Sequence, residues 1–215
     1  MKRCNEKVVM STKQTRRNSL NGLFDSQIAI LENRNIPEQI IEILQKQRDS
    51  VLKKASKMVI GKGNIPFLPI ITPIYLGYMG LMSKVWQGSG IGYVSYTSIN
   101  PEAIADGFRT PDGLYYIYDV EAGKATMGKS PEEAVEIIFN EQSRSALTAT
   151  EIINLCIATN VLWRRSVWAI GSRSVINEKM PIVFLDDHND PVLACFHANY
   201  KNDRWGSPSC DIRRA

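Results

Sequence analysis

Residues 181–197 read PIVFLDDHNDPVLACFH, two apolar runs joined by a polar turn. Short apolar runs rich in Val, Ile and Phe favour buried strands, and the Asp and Asn residues between them favour a tight turn. The segment predicts a β-hairpin with strands over residues 182–185 and 192–197. A further strand is predicted just upstream, over residues 167–172, so this part of the chain indicates a mainly antiparallel sheet.

The upstream chain alternates predicted strands with predicted helices. Strands are expected over residues 67–71, 92–97 and 114–120, while residues 74–85 fit either a strand or a helix. The pattern as a whole predicts an α+β fold. Its mainly antiparallel sheet would carry a helical N-terminal hairpin and two further helices packed on it.

Capping residues mark where the helices begin. The first helix is expected over residues 24–33, and the second begins with Asn35 as its cap and carries an apolar stripe to Met58. Ser130-Pro131-Glu132-Glu133 forms a capping box that opens a helix through Phe139. The last predicted helix starts at Thr148 or Thr150.

Composition and charge indicate one globular domain with a basic tail. The chain has 215 residues, 44% of them hydrophobic and 22% charged, with a net charge of +4. Six basic residues and one acidic residue fall within residues 1–20, so the remainder is close to neutral. We predict a disordered basic tail over 1–20 and a single α+β domain over 21–215. A neutral body disfavours broad binding to nucleic acid, although an accessory role through the tail stays open as a second alternative.

The apolar segments and the cysteines indicate a soluble protein in the cytoplasm. Residues 65–82 carry no charge, but three prolines would break the hydrogen bonds of a membrane-spanning helix, so we expect no membrane contact. The four cysteines are scattered and form no Cys-x-x-Cys pair, which favours reduced thiols.

The C-terminal block also resembles a known family. Its residues are Gly171-Ser172-Arg173, Pro181, Cys195-Phe196, Asn199 and the closing motif Trp205-Gly206-Ser207-Pro208-Ser209-Cys210. They resemble an uncharacterised bacterial family, common in actinobacteria, that is known as a domain of unknown function. The resemblance covers about residues 20–212 and implies a fold and the place of a site. It implies no reaction.

Arginine, tryptophan and asparagine are concentrated in this block, and together they can bind anions. We therefore predict a non-enzymatic binding module for a small anionic ligand or a peptide, leaving the ligand and the oligomeric state open. Its predicted ligand-binding residues are Ser172, Arg173, Asn199, Trp205, Ser207 and Cys210.

The alternative is a cysteine-dependent enzyme that uses Cys210 or Cys195 as nucleophile, with His197 as the base. Cys195 and His197 are two residues apart on a predicted strand and are expected on one face. We expect no metal and no cofactor, because closely paired metal ligands are missing. Asp119 and Glu121 are either paired carboxylates or exposed residues near a strand end. The glycines at 88–92 are expected in a hairpin connection, since no helix follows them.

Overall fold

Three helices form the N-terminal part of the fold. The computed structural model describes the backbone of residues 2–211 and the side chains of residues 18–211. Helix α1 covers Lys2–Asn33, α2 covers Glu38–Lys46 and α3 covers Arg48–Lys57. One face of α1 is apolar and buried, because its apolar residues recur every three or four positions. These residues are Leu20, Phe24, Ile28 and Leu31.

Helical backbone runs through the segment for which we predicted a disordered tail. Helix α1 begins at Lys2 rather than near residue 24, and Leu20 is buried in the core. The helix start predicted at residue 24 is therefore wrong, since the apolar face starts at least one turn earlier. The side chains of residues 1–17 lie outside the described residues, so the division into a tail and a domain stays a prediction.

The predicted second helix is two helices that meet at Gln47. Asn35 does not cap it: the backbone of Asn35 is left-handed, with φ of 54°, which asparagine tolerates at a helix end. Pro37 occupies the cap position instead. The region predicted to be an N-terminal helical hairpin thus contains three helices. Its apolar stripe is buried at Ile36, Ile40, Leu44, Val51 and Ala55.

A long strand pair lies at the centre of the core. Strand β1 (Ile65–Ile71) pairs antiparallel with β6 (Leu114–Val120). Helix α6 (Ala149–Ala158), whose residues are all buried, packs on β1. The Asn154 side chain bonds both the N–H and the C=O of Ile71, each at 3.0 Å. The strands predicted here are confirmed, and so is Thr148 as the cap of α6.

The uncharged stretch over residues 65–82 divides into β1 and a helix, α4 (Pro73–Met82). Helix α4 is kinked at Gly77, whose φ of 61° and ψ of 170° are not helical. Within the described part of the chain, no helix has both the length and the apolar character needed to cross a membrane.

A five-stranded sheet combines β4 (Tyr93–Val94) with four strands from the C-terminal half: β8 (Ser166–Trp168), β10 (Met180–Leu185), β11 (Pro191–Phe196) and β12 (Trp205–Gly206). The strands lie in the order β12-β8-β10-β11-β4. The predicted hairpin is present, and its turn is held by the Asp186 carboxylate, which accepts from the N–H groups of His188 and Asp190. Strands β8, β10 and β11 are antiparallel, whereas β12 and β4 join the edges in parallel. The α+β class is confirmed, with this sheet mixed rather than purely antiparallel.

Three short strand pairs complete the described structure. The glycines at 88–92 lie in a hairpin between β2 (Trp86–Gln87) and β3 (Gly90–Ile91), as predicted. The strand predicted over 167–172 is interrupted, and its second part is β9 (Ser172–Ser174), which pairs with β5 (Ile104–Asp106). Strand β7 (Ser145–Ala146) pairs with β13 (Ser209–Cys210). The predicted capping box opens α5 (Pro131–Val135), which continues as a π-helix over Glu136–Glu141.

Residues 206–210, which we call the closing segment, pack against the chain that leaves β6. Gly206 meets the backbone of Gly123 so closely that a Cβ at position 206 would lie 2.0 Å from the Gly123 carbonyl oxygen. Only glycine permits this approach.

We expect Gly206→Ala to lower the free energy of unfolding by about 2–3 kcal/mol, because backbone must move to admit the methyl group. Gly22→Ala is the matched control. Its added Cβ meets nothing within 4 Å on helix α1, so it should raise stability by about 0.5–1 kcal/mol. Urea denaturation of both variants measures the difference, and wild-type stability of Gly206→Ala would contradict the assigned role of this glycine.

Candidate functional site

The structure separates the six predicted ligand-binding residues. Arg173 and Asn199 line one open pocket of about 550 Å³. The other four lie outside its lining: Ser172, Trp205, Ser207 and Cys210. We call this cavity the Arg173 pocket, and its polar lining comprises Glu132, Arg173, Asn177, Glu178, His197 and Asn199.

Strand alternation points Arg173 into the pocket. Arg173 is the middle residue of β9, and its side chain is exposed while those of Ser172 and Ser174 are buried on the opposite face. His197 and Asn199 follow the end of β11, where the N–H of Tyr200 donates to the His197 carbonyl and turns the chain. Residues 26 positions apart therefore meet at one site.

The remaining lining residues come from a turn and from a helix. Ser174 and Lys179 close the turn after β9 through a hydrogen bond between N–H and C=O at 2.9 Å. This turn presents Asn177 and Glu178, and Glu178 has a left-handed backbone with φ of 56°. Glu132 stands in the first turn of α5. No sequence motif marked these residues as ligand-binding residues, because they reach the pocket only through the fold.

The side chains at the pocket are mostly unengaged. No hydrogen bond or ion pair to another described residue involves the side chains of Arg173, His197 or Asn199. The lining has mixed charge, because the carboxylates of Glu132 and Glu178 share the pocket with the Arg173 guanidinium. Such a surface can hold an anionic group at Arg173 and a hydrogen-bond donor at a carboxylate.

Trp205 belongs to an aromatic cluster that packs next to the pocket. Its ring centroid lies 5.0 Å from Tyr200 and 5.2 Å from the fully buried Trp168. Phe196, directly before His197, is also in contact with Trp205, at 5.6 Å. The tryptophan thus supports the loop that carries His197 and Asn199 and does not itself line the pocket.

Ser172 makes structural hydrogen bonds on the other face of β9. Its hydroxyl donates to the Asp106 carboxylate at 2.6 Å and accepts from the N–H of Ala149 at 2.8 Å. Ser172 therefore joins β5, β9 and the beginning of α6.

Ser207 and Cys210 are buried in the closing segment. The Ser207 N–H donates to the Thr126 hydroxyl at 2.7 Å, and this hydroxyl donates back to the Ser207 carbonyl at 3.0 Å. Cys210 is 1% exposed and pairs with Ser145 between β13 and β7. Ser207 and Cys210 of the closing motif are thus packed in the core.

Asp119 and Glu121 do not form a catalytic carboxylate pair. Asp119 is buried and forms an ion pair with Arg144 at 2.6 Å, so the exposed strand end that we considered is wrong for this residue. Its carboxylate also accepts from the Gly61 N–H at 2.7 Å and from the Asn64 amide at 2.8 Å. The Glu121 carboxylate accepts from the N–H groups of the turn that follows β6.

The pKa of Asp119 reflects two opposing effects. Burial alone would raise the pKa of this carboxyl group, but hydrogen bonds from Arg144, Asn64 and Gly61 outweigh it and hold the pKa below its usual value. The charged form is therefore the one that the fold stabilises. Sequence reasoning missed Arg144, which no motif distinguished.

The cysteines lack the exposure that a nucleophile needs. Cys195 is 2% exposed, and burial raises the pKa of its thiol to about 12. His197 is exposed beyond the end of β11, so the expectation that Cys195 and His197 share a face is wrong. Among the described residues, no group of three or more His, Cys, Asp or Glu side chains is placed to hold a metal ion.

We expect Asp119→Asn to lower the free energy of unfolding at pH 7 by about 3 kcal/mol, because Arg144 loses its buried counter-charge. The folded-state pKa is lowered, so the stabilisation is present above the unfolded pKa of about 3.9 and is lost as the pH falls through the folded pKa. The difference in the free energy of unfolding between the wild type and the variant should therefore become smaller below about pH 4. The matched control is Asp25→Asn, which removes the exposed Asp25–Arg48 pair and should cost about 1 kcal/mol or less. Equal losses in the two variants would contradict the central role of Asp119.

We expect Cys195 and Cys210 in the folded protein to react with iodoacetamide at pH 7 at least about 100-fold more slowly than a model thiol of pKa about 8.5. The reason is burial, which shields both thiols from the reagent and keeps the Cys195 thiol protonated at pH 7. Mass-spectrometric labelling measures each site, and unfolding in urea should restore normal rates. Fast labelling of either cysteine in the folded state would support thiol chemistry instead.

The comparisons with known proteins agree with this geometry in assigning no reaction. A family model described as "Family of unknown function (DUF5701)" matches residues 28–213. No curated protein and no solved structure matches the chain. The expected relation to a family of unknown function is confirmed, while the bacterial origin and the closing motif as its signature remain expectations. The chain, from the second half of α1 through the closing segment, therefore belongs to the DUF5701 family of unknown function.

Proposed function

We propose that this protein is a non-enzymatic binding module and that the Arg173 pocket takes a peptide or small molecule carrying a carboxylate. The observation that supports this most directly is the convergence of Arg173, His197 and Asn199 on one cavity without partners among the described residues. A guanidinium held on a strand and left unpaired is suited to bidentate contact with a carboxylate.

The mixed charge of the pocket narrows the ligand class. A simple anion such as inorganic phosphate would meet repulsion from Glu132 and Glu178. A peptide end offers its carboxylate to Arg173 and the Asn199 amide, and it can direct an N–H group towards either glutamate. We therefore favour a peptide carboxylate over a free inorganic anion.

The exposure of the pocket favours ligand binding over catalysis. Every lining residue named above is exposed, so water reaches the whole cavity. Catalysis of acyl or phosphoryl transfer usually requires a site that excludes water and a nucleophile within reach of a base. The buried thiols do not provide one here, which leaves the cysteine-dependent alternative without a supporting observation.

We expect Arg173→Ala to weaken binding of a short peptide with a free C-terminal carboxylate by about 10- to 100-fold. The loss follows from a charge-assisted hydrogen bond worth about 1.5–3 kcal/mol. Isothermal titration with a tripeptide pool, run beside the same pool with amidated C-termini, measures the effect. Arg173→Lys keeps the charge without the planar fork, so we expect it to recover only part of the affinity.

Arg164→Ala is the matched control, since this exposed arginine lies outside the pocket lining. It should leave the affinity unchanged. Equal binding of free and amidated peptides, or equal losses in Arg173→Ala and Arg164→Ala, would overturn the proposal.

A further inference from the structure

Three dipeptides of the chain place a glycine directly after an asparagine or an aspartate: Asn21-Gly22, Asp106-Gly107 and Asp112-Gly113. In such a pair the glycine amide nitrogen can attack the side-chain carbonyl carbon of the preceding residue and close a small ring. Glycine favours the reaction because it has no Cβ to hinder the approach. The reaction is intramolecular, so its rate depends on whether the two atoms are free to meet. The structure distinguishes the three pairs on this criterion.

The pair Asn21-Gly22 is held inside helix α1. In a helix each N–H bonds the C=O four residues earlier, so the Gly22 amide belongs to the hydrogen-bond ladder of α1. The Asn21 side-chain oxygen accepts from the Arg48 guanidinium at 3.2 Å. Attack by the Gly22 nitrogen would therefore require the helix to open and the contact with Arg48 to break.

The pair Asp106-Gly107 is exposed, but hydrogen bonds hold both of its reacting groups. Asp106 is the last residue of β5, and its carboxylate accepts from the Ser172 hydroxyl at 2.6 Å. The Gly107 N–H donates to the Gly171 carbonyl at 2.8 Å. The carboxylate and the amide are thus both fixed to the β9 side of the strand pair, and ring closure would break both bonds.

The pair Asp112-Gly113 differs from the other two because its reacting groups are not engaged. It lies outside helices and strands, in the loop directly before β6, and Asp112 is exposed. Neither the Asp112 carboxylate nor the Gly113 N–H has a hydrogen bond or ion pair with another residue in the described part of the chain. The Asp112 side chain can therefore turn towards the Gly113 nitrogen without breaking a contact.

We propose that Asp112 is a site of spontaneous isoaspartate formation and that the modified loop is a substrate for an isoaspartyl methyltransferase. The Gly113 nitrogen forms a bond to Cγ of Asp112, and its proton leaves with the carboxyl OH as water, which gives a succinimide. Water then opens the ring. Cleavage of the new bond restores aspartate. Cleavage of the bond between the Gly113 nitrogen and the backbone carbonyl carbon of Asp112 leaves the chain connected through Cγ, which is isoaspartate.

The modification changes the backbone at the start of β6. It adds a methylene group to the main chain two residues before Leu114, whose C=O accepts from the Gln47 side chain at 3.3 Å. It also gives residue 112 a free α-carboxylate on an exposed loop, and this is the group that isoaspartyl methyltransferases methylate. The reaction needs only water and does not depend on ligand binding at the Arg173 pocket.

The test is incubation of the folded protein at neutral pH, then labelling with an isoaspartyl methyltransferase and tryptic mapping. Trypsin separates the three pairs into the peptides 18–34, 85–109 and 110–124. We expect label in peptide 110–124 to accumulate at least about tenfold faster than in the other two, where local opening must come first. Equal labelling of peptides 85–109 and 110–124 would overturn the proposal, because hydrogen bonding would then not decide the site.

In guanidinium chloride the helix and the strands are lost, so peptides 18–34 and 85–109 should gain label. Their failure to do so would contradict protection by the fold. A synthetic peptide of residues 110–124 is the reference for the unconstrained rate. Label in this peptide without label at the same residues of the folded protein would also overturn the proposal.

Asp112→Glu is the diagnostic variant, because it keeps the charge but would have to close a larger, less favourable ring. It should lose the label from peptide 110–124 while its urea unfolding midpoint stays at the wild-type value, since Asp112 is exposed and unpaired among the described residues. Label that persists in this variant would belong to Asp119, the other aspartate of the peptide, and would overturn the proposal. Arg173→Ala should leave the labelling unchanged.

Discussion

The buried ion pair between Asp119 and Arg144 is the constraint on which the rest of the structure depends. Asp119 is the penultimate residue of β6 and has a left-handed backbone. Its carboxylate accepts hydrogen bonds from the loop before β1 and from the segment after the π-helix. Arg144 continues the network to the Ser209 hydroxyl at 2.8 Å. A buried ion pair stabilises a fold only where its remaining hydrogen bonds are satisfied, and here the N-terminal, central and C-terminal parts of the chain each supply some of them.

The closing segment packs against this network through Ser209. Three of its residues make contacts within the core. Gly206 permits backbone approach to Gly123, the backbone of Ser207 exchanges hydrogen bonds with Thr126, and the Ser209 hydroxyl accepts from Arg144. A segment rich in glycine and serine can therefore indicate tight backbone packing as readily as a functional site.

The Arg173 pocket rests on a short strand pair. The β5–β9 pair presents Arg173 on one face and the Asp106–Ser172 hydrogen bond on the other. Ser172 also binds the first N–H of α6, so the most buried helix in the fold holds this strand pair in place. The Arg173 pocket, whose lining has mixed charge, thus has a rigid support on this side.

The sequence by itself determined the elements whose signals are local. Apolar runs located β1, β6 and the β10–β11 hairpin. The Ser130 capping box located the start of α5, and the start of α6 was placed at Thr148 or Thr150. Strand burial and helix capping can be predicted in this way because they are properties of neighbouring residues. The sequence also placed Arg173 and Asn199 together among the predicted ligand-binding residues. Only the tertiary structure decided which polar residues remain unpaired. Ser172 and Asp119 looked available in sequence, but the side chain of each is engaged by a partner at least 25 residues away. The backbone of Ser207 bonds Thr126, whereas its hydroxyl is buried without a partner in the described part of the chain. Pairings of this kind depend on the packing of the whole chain, which local pattern does not encode.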